Sequence, residues 1–416
     1  MTVIALIAEQ SDPHIISDTL LSAEGSDPSP QKKVWLPALG LIDSEWKTNG
    51  SVWHIARLGR KSFILPNNSG LLTFAGDCRT AFKFWSELSD VFLARMGYKP
   101  DYRINSQTVL SVLTRIQDRD KISVLGILLD EQGGRTPFIH NPAKELNTKN
   151  FGTCWIAGSG TKLVEDIILS IDAETSQRIR KNKSLPRKPA ENLAEHIASH
   201  MMYRESDQYN GHSSGSPIAA QCGGFFEWYP VDKDGIRPLK SRLDIHFSEE
   251  NGKLFATRMY FSEQIQTIEQ FGSAYPAPRY YISVLNLIAD PVEVRIDAGH
   301  NDWNFHPPEC YGVAIESTFT LYDNPTDNET EKRISGIVST AMQKKLFETP
   351  LKINRVRIVV GANKKAIERG FISTEGGASY AQISYTDSVL NVRIGSSIIS
   401  AATDIAQRLN AELSQT

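Results

Sequence analysis

Thr2 stands directly behind Met1 and opens an apolar segment, TVIALIA. If Met1 is removed, Thr2 carries a free α-amine and a side-chain hydroxyl on the same residue. A threonine hydroxyl becomes a nucleophile when a base takes its proton, and an α-amine with an ordinary pKa of about 8 suits that task. Such a site also needs a cation, a carboxylate that holds the cation, and a donor for a developing oxyanion. The opening residues therefore indicate a candidate site for covalent catalysis.

Four later residues are candidates for the remaining groups. Asp18, in IISD, is 16 residues after Thr2, and Lys61 is 15 residues before Gly76 in TFAG. The stretch TCWIAGSGTKLVEDII contains Ser159. Together with RKSFILPNNSGLLTFAG and the following DCRTAFKFWSEL, these motifs resemble the N-terminal nucleophile hydrolases, specifically proteasome β subunits and the related bacterial heat-shock-locus peptidase.

The resemblance covers residues 2–230 and implies a fold and a set of roles. The implied fold is α+β, a four-layer αββα sandwich. In the implied mechanism the Thr2 hydroxyl attacks a carbonyl and the α-amine accepts its proton. The resemblance implies that Lys61 places a cation beside the hydroxyl and that Asp18 holds this cation. It also implies that the Gly76 N–H donates to the oxyanion and that the Ser159 hydroxyl lies beside the α-amine.

The sequence departs from the family pattern between Asp18 and Lys61. These residues are 43 apart, which is more than the family's usual gap. The extra segment is interpreted as an enlarged loop, and it contains QKKV, which resembles the TVKKV of some β subunits. Lys33 is therefore an alternative site lysine. Lys61 is preferred because its register with Gly76 needs no gap.

A second departure concerns the family's D-x-x-S-G-G pattern after the last helix. Here QCGGFFEWY supplies the glycines, and Ala219 stands where the aspartate is expected. Asp207 and Ser214 are nearby in sequence, but the pattern does not place them. An incomplete active site, and hence a catalytically silent relative, stays open at this point.

The elements that would position these residues follow from periodicity. Residues 2–8 and 14–20 are apolar and predict buried strands, and residues 61–76 predict a strand, a turn and a strand. From Asp77 onward, apolar residues recur at helical spacing. The next predicted elements are a second helix, capped by Asn105 or Ser106, and a hairpin around Gly133–Gly134. They are followed by a strand, two helices and the strand in QCGGFFEWYPV.

Two domains are expected from the length of 416 residues. Residues 1–235 form the proteasome-like domain in this division, and residues 236–416 form a smaller mixed α/β accessory domain of unknown role. In the second unit, YYISVLNLI, VEVRI, YGVAIESTFTLY and RVRIVV predict strands, and ETEKRISGIVSTAMQKKLF and SIISAATDIAQRLNAELS predict helices.

Composition limits the classes of partner. The 45 basic and 48 acidic residues give a net charge of −3, so electrostatics offers no case for nucleic acid or an anionic membrane. No apolar run approaches the roughly 18 residues of a spanning helix, and no signal peptide is recognisable. The four cysteines form no CxxC pair, which is typical of a reduced cytoplasmic protein.

Metal and cofactor motifs are weak, and no cofactor is expected. His196 and His200 have a metal-compatible spacing, but the glutamate of HExxH is missing and an ordinary amphipathic helix is favoured. The run HNDWNFHPPEC is the best metal candidate, although histidines beside Trp303 and Phe305 more often pack.

Three hypotheses follow. The first is a cytoplasmic N-terminal threonine peptidase that acts on peptides or proteins, assembles as a homo-oligomer as its family does, and meets a partner protein through the accessory domain. The second is a catalytically silent proteasome-like scaffold or sensor. The third is an amidase for non-peptide amides, because the same machinery cleaves other amides.

Overall fold

Helices and strands occur in runs along the chain in the computed structural model, which is typical of an α+β protein. The structure describes residues 2–48, 50–207, 217–237, 240–267, 277–286, 291–295, 302–307, 311–315, 347–362, 365–373, 377 and 379–413. The helices of this described part are α1 (Cys78–Met96), α2 (Ser106–Leu113), α3 (Thr161–Arg180), α4 (Pro189–Asp207) and α5 (Ser396–Leu413).

Sheet 1 contains the strand that follows Thr2. Its order is β12 (Lys144–Asn147), β13 (Thr153–Gly158), β1 (Val3–Ile7), β2 (His14–Asp18), β14 (Phe226–Asp232) and β15 (Gly235–Ile236). All its pairings are antiparallel, and Ile4 lies opposite Ser17 in the β1–β2 register. Every residue of β1 is buried, as expected for a strand that is apolar on both faces.

Sheet 2 packs against sheet 1. Its order is β11 (Arg135–His140), β10 (Ile122–Leu129), β9 (Gly70–Gly76) and β8 (Ser62–Leu65). Strand β1 contacts both β9 and β10, and β2 contacts β8. Helices α3 and α4 contact sheet 1, and α1 contacts sheet 2. Asp77 caps α1 by accepting a hydrogen bond from Thr80 N at 2.7 Å.

The segment between Asp18 and Lys61 is not the enlarged loop that the sequence suggested. It forms two small antiparallel sheets, with the orders β3–β7–β6 and β4–β5. The strands are β3 (Leu20–Glu24), β4 (Lys33–Leu36), β5 (Gly40–Asp43), β6 (Glu45–Thr48) and β7 (Ser51–Leu58). A small apolar cluster that includes Leu20, Leu36 and Ile55 stabilises them. The strands are short and mix polar with apolar residues, which hides their periodicity.

The later residues form two further sheets. Sheet 3 has the order β21 (Tyr311–Ile315), β18 (Ala277–Asn286), β17 (Lys253–Thr267), β16 (Arg242–Glu250), β23 (Arg355–Ala362) and β24 (Lys365–Ile372), with β19 (Val292–Glu293) on β17. Sheet 4 has the order β20 (Trp303–Phe305), β26 (Val389–Ile394), β25 (Ala381–Thr386) and β22 (Leu351–Ile353). The predicted helix ETEKRISGIVSTAMQKKLF lies outside the described residues except for Phe347.

The two faces of sheet 3 differ in polarity. Alternate residues such as Val356 and Ile358 join one apolar cluster with α5, and the cluster draws all its members from residues 243–409. The opposite face carries buried charges such as Arg357 and contacts α4. Helix α4 therefore contacts sheet 1 as well as sheet 3. No helix among the described residues is long and apolar enough to cross a membrane.

Candidate active site

Three of the five predicted site residues meet at the start of β1. Thr2 precedes β1, Asp18 ends the neighbouring β2, and Lys61 comes directly before β8. Their side chains are buried, with residue exposures of 2%, 0% and 5% in that order. The Thr2 hydroxyl donates a hydrogen bond to Asp18 Oδ1 and accepts one from Lys61 Nζ. The hydroxyl is therefore held between a carboxylate and a lysine.

Lys61 makes two further hydrogen bonds. Its Nζ donates to Asp18 Oδ1 at 2.6 Å and to the carbonyl oxygen of Leu20 at 2.6 Å. Burial lowers the pKa of Lys61, and the charge and hydrogen bond of Asp18 oppose that shift. A buried lysine without an acidic partner would be costly, so the ion pair explains how this side chain is tolerated here.

Asp18 is fixed by the backbone on both sides. Its Oδ1 accepts from Val3 N at 3.0 Å, and its Oδ2 accepts from Gly223 N at 2.9 Å. With Thr2 and Lys61, four groups therefore donate to one carboxylate. Hydrogen bonds to the charged form favour a buried carboxylate, and they also leave it little freedom to rotate.

Arg60, which precedes Lys61, forms an ion pair that fixes the start of β8. Arg60 Nε donates to Glu227 Oε2 at 3.1 Å, and this ion pair is buried. Glu227 Oε2 also accepts from the Tyr229 hydroxyl at 2.8 Å. Both acceptor and phenol belong to β14, so the segment that carries Lys61 is tied to sheet 1.

The turn between β13 and α3 holds the main chain of Thr2. Ser159 Oγ and Gly160 N each lie 3.3 Å from the Thr2 carbonyl oxygen, to which both donate. Gly158 has a φ of +95°, and a Cβ there would lie 2.1 Å from the same oxygen. Only glycine fits this close approach. Ser159 Oγ also lies 3.5 Å from the carbonyl oxygen of Gln221, and its contact with a free α-amine of Thr2 stays a prediction.

Gly76 ends β9 and has a steric requirement of its own. Its φ is +99°, and a Cβ would lie 2.2 Å from the carbonyl oxygen of Lys121. Strand β9 contacts β1, which follows Thr2. The role of the Gly76 N–H as an oxyanion donor stays a prediction.

The alternative lysine lies elsewhere. Lys33 is in β4 and forms an ion pair with Asp43 of β5. Its side chain is 44% exposed and that of Asp43 is 73% exposed. The position beside the Thr2 hydroxyl belongs to Lys61.

The loop after α4 supports Asp18, a role that was not predicted from the sequence. Gly223 O accepts from Leu20 N at 3.0 Å, in addition to the bond from Gly223 N to Asp18. The next amide, Gly224 N, donates to Glu205 Oε2 at 3.1 Å, and Glu205 is fully buried in α4. Burial raises the pKa of Glu205 well above its usual value.

The other positions considered for the missing family pattern lie in or near the same loop. Ala219 lies in the loop before Cys222, Asp207 ends α4, and Ser214 lies outside the described residues. Cys222 is buried, and burial raises the pKa of its thiol well above the usual value. A neutral thiol is a poor nucleophile, so Cys222 is not a candidate for that role.

The HNDWNFHPPEC run contains structural contacts in its described part. Asp302 Oδ2 accepts from Arg393 Nε at 2.7 Å, and Oδ1 accepts from Ser396 N at 3.0 Å at the start of α5. Trp303 and Phe305 stack with ring centroids 4.1 Å apart. His300 and Cys310 lie outside the described residues.

We compared the chain with protein families, curated proteins and solved structures. No family model matches the chain, and no curated protein matches it. Among the solved structures, the crystal structure of eukaryotic HslV from Trypanosoma brucei matches with 10% sequence identity and a TM-score of 0.28. The match covers 55% of this chain and 99% of that chain. A TM-score of this size does not establish a shared fold, so function has to be argued from the geometry around Thr2.

Proposed function

We propose that this chain is a threonine peptidase of the N-terminal nucleophile type, with Thr2 as its nucleophile after removal of Met1. Residues 1–235 form its four-layer αββα sandwich, and residues 236–416 form an accessory domain. The packing of sheet 1 on sheet 2, with α3 and α4 against one and α1 against the other, supports that architecture. The absence of a CxxC pair among the four cysteines supports a cytoplasmic location.

One observation carries the proposal. The Thr2 hydroxyl contacts Asp18 and Lys61 at once, in a buried position at the edge of β1. A lysine in contact with that hydroxyl can stabilise the negative charge that develops on the oxygen during attack.

Acylation uses the two functional groups of Thr2. Its Oγ1 attacks the carbonyl carbon of a peptide bond while the α-amine accepts the hydroxyl proton. Lys61 stabilises the charge that develops on Oγ1, and Asp18 holds Lys61 in place. The Gly76 N–H donates to the oxyanion. Collapse of the tetrahedral intermediate breaks the C–N bond, and the α-ammonium returns the proton to the leaving amine.

Deacylation repeats the same steps with water. The α-amine takes a proton from water as the water oxygen attacks the ester carbon of acylated Thr2. The ester bond then breaks, and Thr2 Oγ1 recovers a proton. Ser159 and Gly160 hold the Thr2 carbonyl throughout, so the α-amine and the hydroxyl keep their relative positions.

The proposed substrates are peptides or proteins, and the proposed assembly is a homo-oligomer. The accessory domain is the proposed contact for a partner protein. Sedimentation that gives a strict monomer would remove the oligomer from the proposal without affecting Thr2 chemistry.

The test compares three variants in hydrolysis of peptide and small-amide substrates. Thr2→Ala should abolish turnover, and Thr2→Ser should retain part of it because serine keeps the hydroxyl and the α-amine. Thr136→Ala is the matched control, because Thr136 is exposed on β11, and it should behave as wild type. Unchanged turnover in Thr2→Ala would refute the proposal. Cleavage of small amides alone would replace the peptidase with an amidase.

The silent scaffold predicts a different outcome. If Met1 is retained in the purified chain, the α-amine belongs to methionine and Thr2 lacks its base. Turnover should then be absent in wild type as well, and the buried Thr2–Asp18–Lys61 cluster would be a structural remnant.

A further inference from the structure

A second polar cluster lies between α4 and β24, away from Thr2. His196 and His200 are four residues apart and therefore share one face of α4. Their rings stack with centroids 5.5 Å apart and an interplanar angle of 12°. Together with Glu368 of β24, they place three ligand atoms within 4.8 Å of one another. In the described part of the chain, no other group of three or more His, Cys, Asp or Glu residues comes together in this way.

Glu368 presents one carboxylate oxygen to the histidines. Its Oε1 accepts a hydrogen bond from Arg357. Its Oε2 lies 2.9 Å from His196 Nδ1, and no other described residue donates a hydrogen bond to it. The side chain is only 2% exposed. A metal ion between Nδ1 and Oε2 would bind both of these atoms.

The spacing of Nδ1 and Oε2 suits a shared ion. Two ligands that are each about 2.1 Å from one ion are about 3.4 Å apart in tetrahedral geometry and about 3.0 Å apart at right angles, so a separation of 2.9 Å is close to this range. Arg357 then has the place of an outer-shell partner that orients the ligating carboxylate, as is usual at metal sites.

The cluster can be reached from solvent. His196 keeps 17% of its side chain exposed, so an ion can enter from solvent.

We propose that His196, His200 and Glu368 bind one divalent transition-metal ion. Two imidazole nitrogens and one carboxylate oxygen favour ions of the Zn²⁺ and Co²⁺ type over Mg²⁺ and Ca²⁺, which prefer oxygen ligands. The ion joins α4 to β24, and hence a helix on sheet 1 to the edge of sheet 3. Its ligands are separate from Thr2, Asp18 and Lys61, so the site does not depend on the proposed peptidase.

The test titrates metal-free, untagged full-length chain with Co²⁺ and with Zn²⁺. Visible absorption of bound Co²⁺ and calorimetry with Zn²⁺ should each give one ion per chain. His200→Gln should weaken binding at least tenfold, and so should Glu368→Gln. The matched control is His140→Gln, because His140 lies on β11 and outside the cluster, and it should bind as wild type.

His200→Gln keeps the proposal falsifiable if Glu368→Gln fails to fold. Zn²⁺ should raise the thermal unfolding midpoint of wild type and of His140→Gln, and should raise that of His200→Gln much less. No stoichiometric binding by wild type would overturn the proposal. Equal binding by wild type and His200→Gln would overturn it too, since the ion would then be held elsewhere.

Discussion

At the scale of single residues, Lys61 determines whether Asp18 and Thr2 can share a buried site. Lys61→Met removes the cation that contacts both side chains. We expect turnover to be lost and the free energy of unfolding to fall by about 3–5 kcal/mol, because Asp18 becomes a buried charge without its partner. Activity assays and urea unfolding would measure the two effects.

Lys33→Met is the control for that change. Lys33 pairs with Asp43 at the surface, where an ion pair contributes about 0–1 kcal/mol. Turnover should therefore be unchanged. The assignment of the site lysine would be wrong if Lys33→Met lost activity and Lys61→Met kept it.

Glu205 gives a prediction about pH. Burial raises its pKa in the folded chain, whereas in the unfolded chain its pKa is about 4.3. As pH rises above about 4.3, the unfolded state loses this proton first, so Glu205 destabilises the fold increasingly until its raised folded pKa is reached. Glu205→Gln stays neutral and retains an acceptor for Gly224 N. Its stability relative to wild type should increase from pH 5 to pH 8 in urea unfolding, and a constant difference would contradict the account.

Thr2, Asp18 and Lys61 were predicted from the sequence, whereas the support from Glu205 was not. The three residues were predicted because their motifs and spacings resemble those of the N-terminal nucleophile hydrolases. Glu205 accepts a hydrogen bond from Gly224 N, and the neighbouring Gly223 N donates to Asp18, which is 205 residues away in sequence. A backbone donor leaves no side-chain signal, so this support could not be inferred.

At the scale of elements, the β13–α3 turn positions Thr2. Gly158→Ala would place a Cβ 2.1 Å from the Thr2 carbonyl oxygen at a φ of +95°. We expect lost turnover and a loss of stability greater than the roughly 1 kcal/mol that a non-glycine residue at positive φ costs. Thermal unfolding and hydrolysis assays would report both.

Gly152→Ala is the matched control for the turn. Gly152 also has a positive φ, of +66°, but a Cβ there would meet nothing within 4 Å. It should carry the backbone cost alone and keep full turnover. If both variants lost turnover equally, backbone strain rather than contact with Thr2 would explain the loss.

Elements were predictable where a cap or a turn marks their ends. Asp77 predicted the start of α1, and Asn105, one of two candidates, caps α2 by accepting from Thr108 N at 3.0 Å. The strands of residues 20–58 were missed because each is short. Strands β16 and β17 were missed because they carry buried charged residues among their apolar ones, as Asp244 and Arg258 illustrate.

At the scale of the whole molecule, buried charges join α4 to sheet 3. Arg357 donates to Glu195 of α4 at 2.6 Å and also to Glu368. Arg355 binds Glu191 and Glu195 on the same helix. The two arginines are about 160 residues from their partners on α4, so this pairing could not be predicted from the local pattern.

Arg357→Met should therefore destabilise the molecule strongly. It leaves two buried carboxylates without their shared cation, and we expect a loss of about 3–5 kcal/mol in urea unfolding. Arg369→Met, on the exposed side of β24, should change stability by less than about 1 kcal/mol. Similar losses in the two variants would mean that the buried network does not stabilise the contact between α4 and sheet 3.

The most direct test of the central claim is peptide mass mapping of the chain after reaction with an electrophile specific for N-terminal threonine. The account predicts one adduct per chain, on an N-terminal peptide that begins at Thr2 without Met1. An N-terminal peptide that retains Met1, or an adduct on any other residue, would contradict the assignment of Thr2 as the nucleophile.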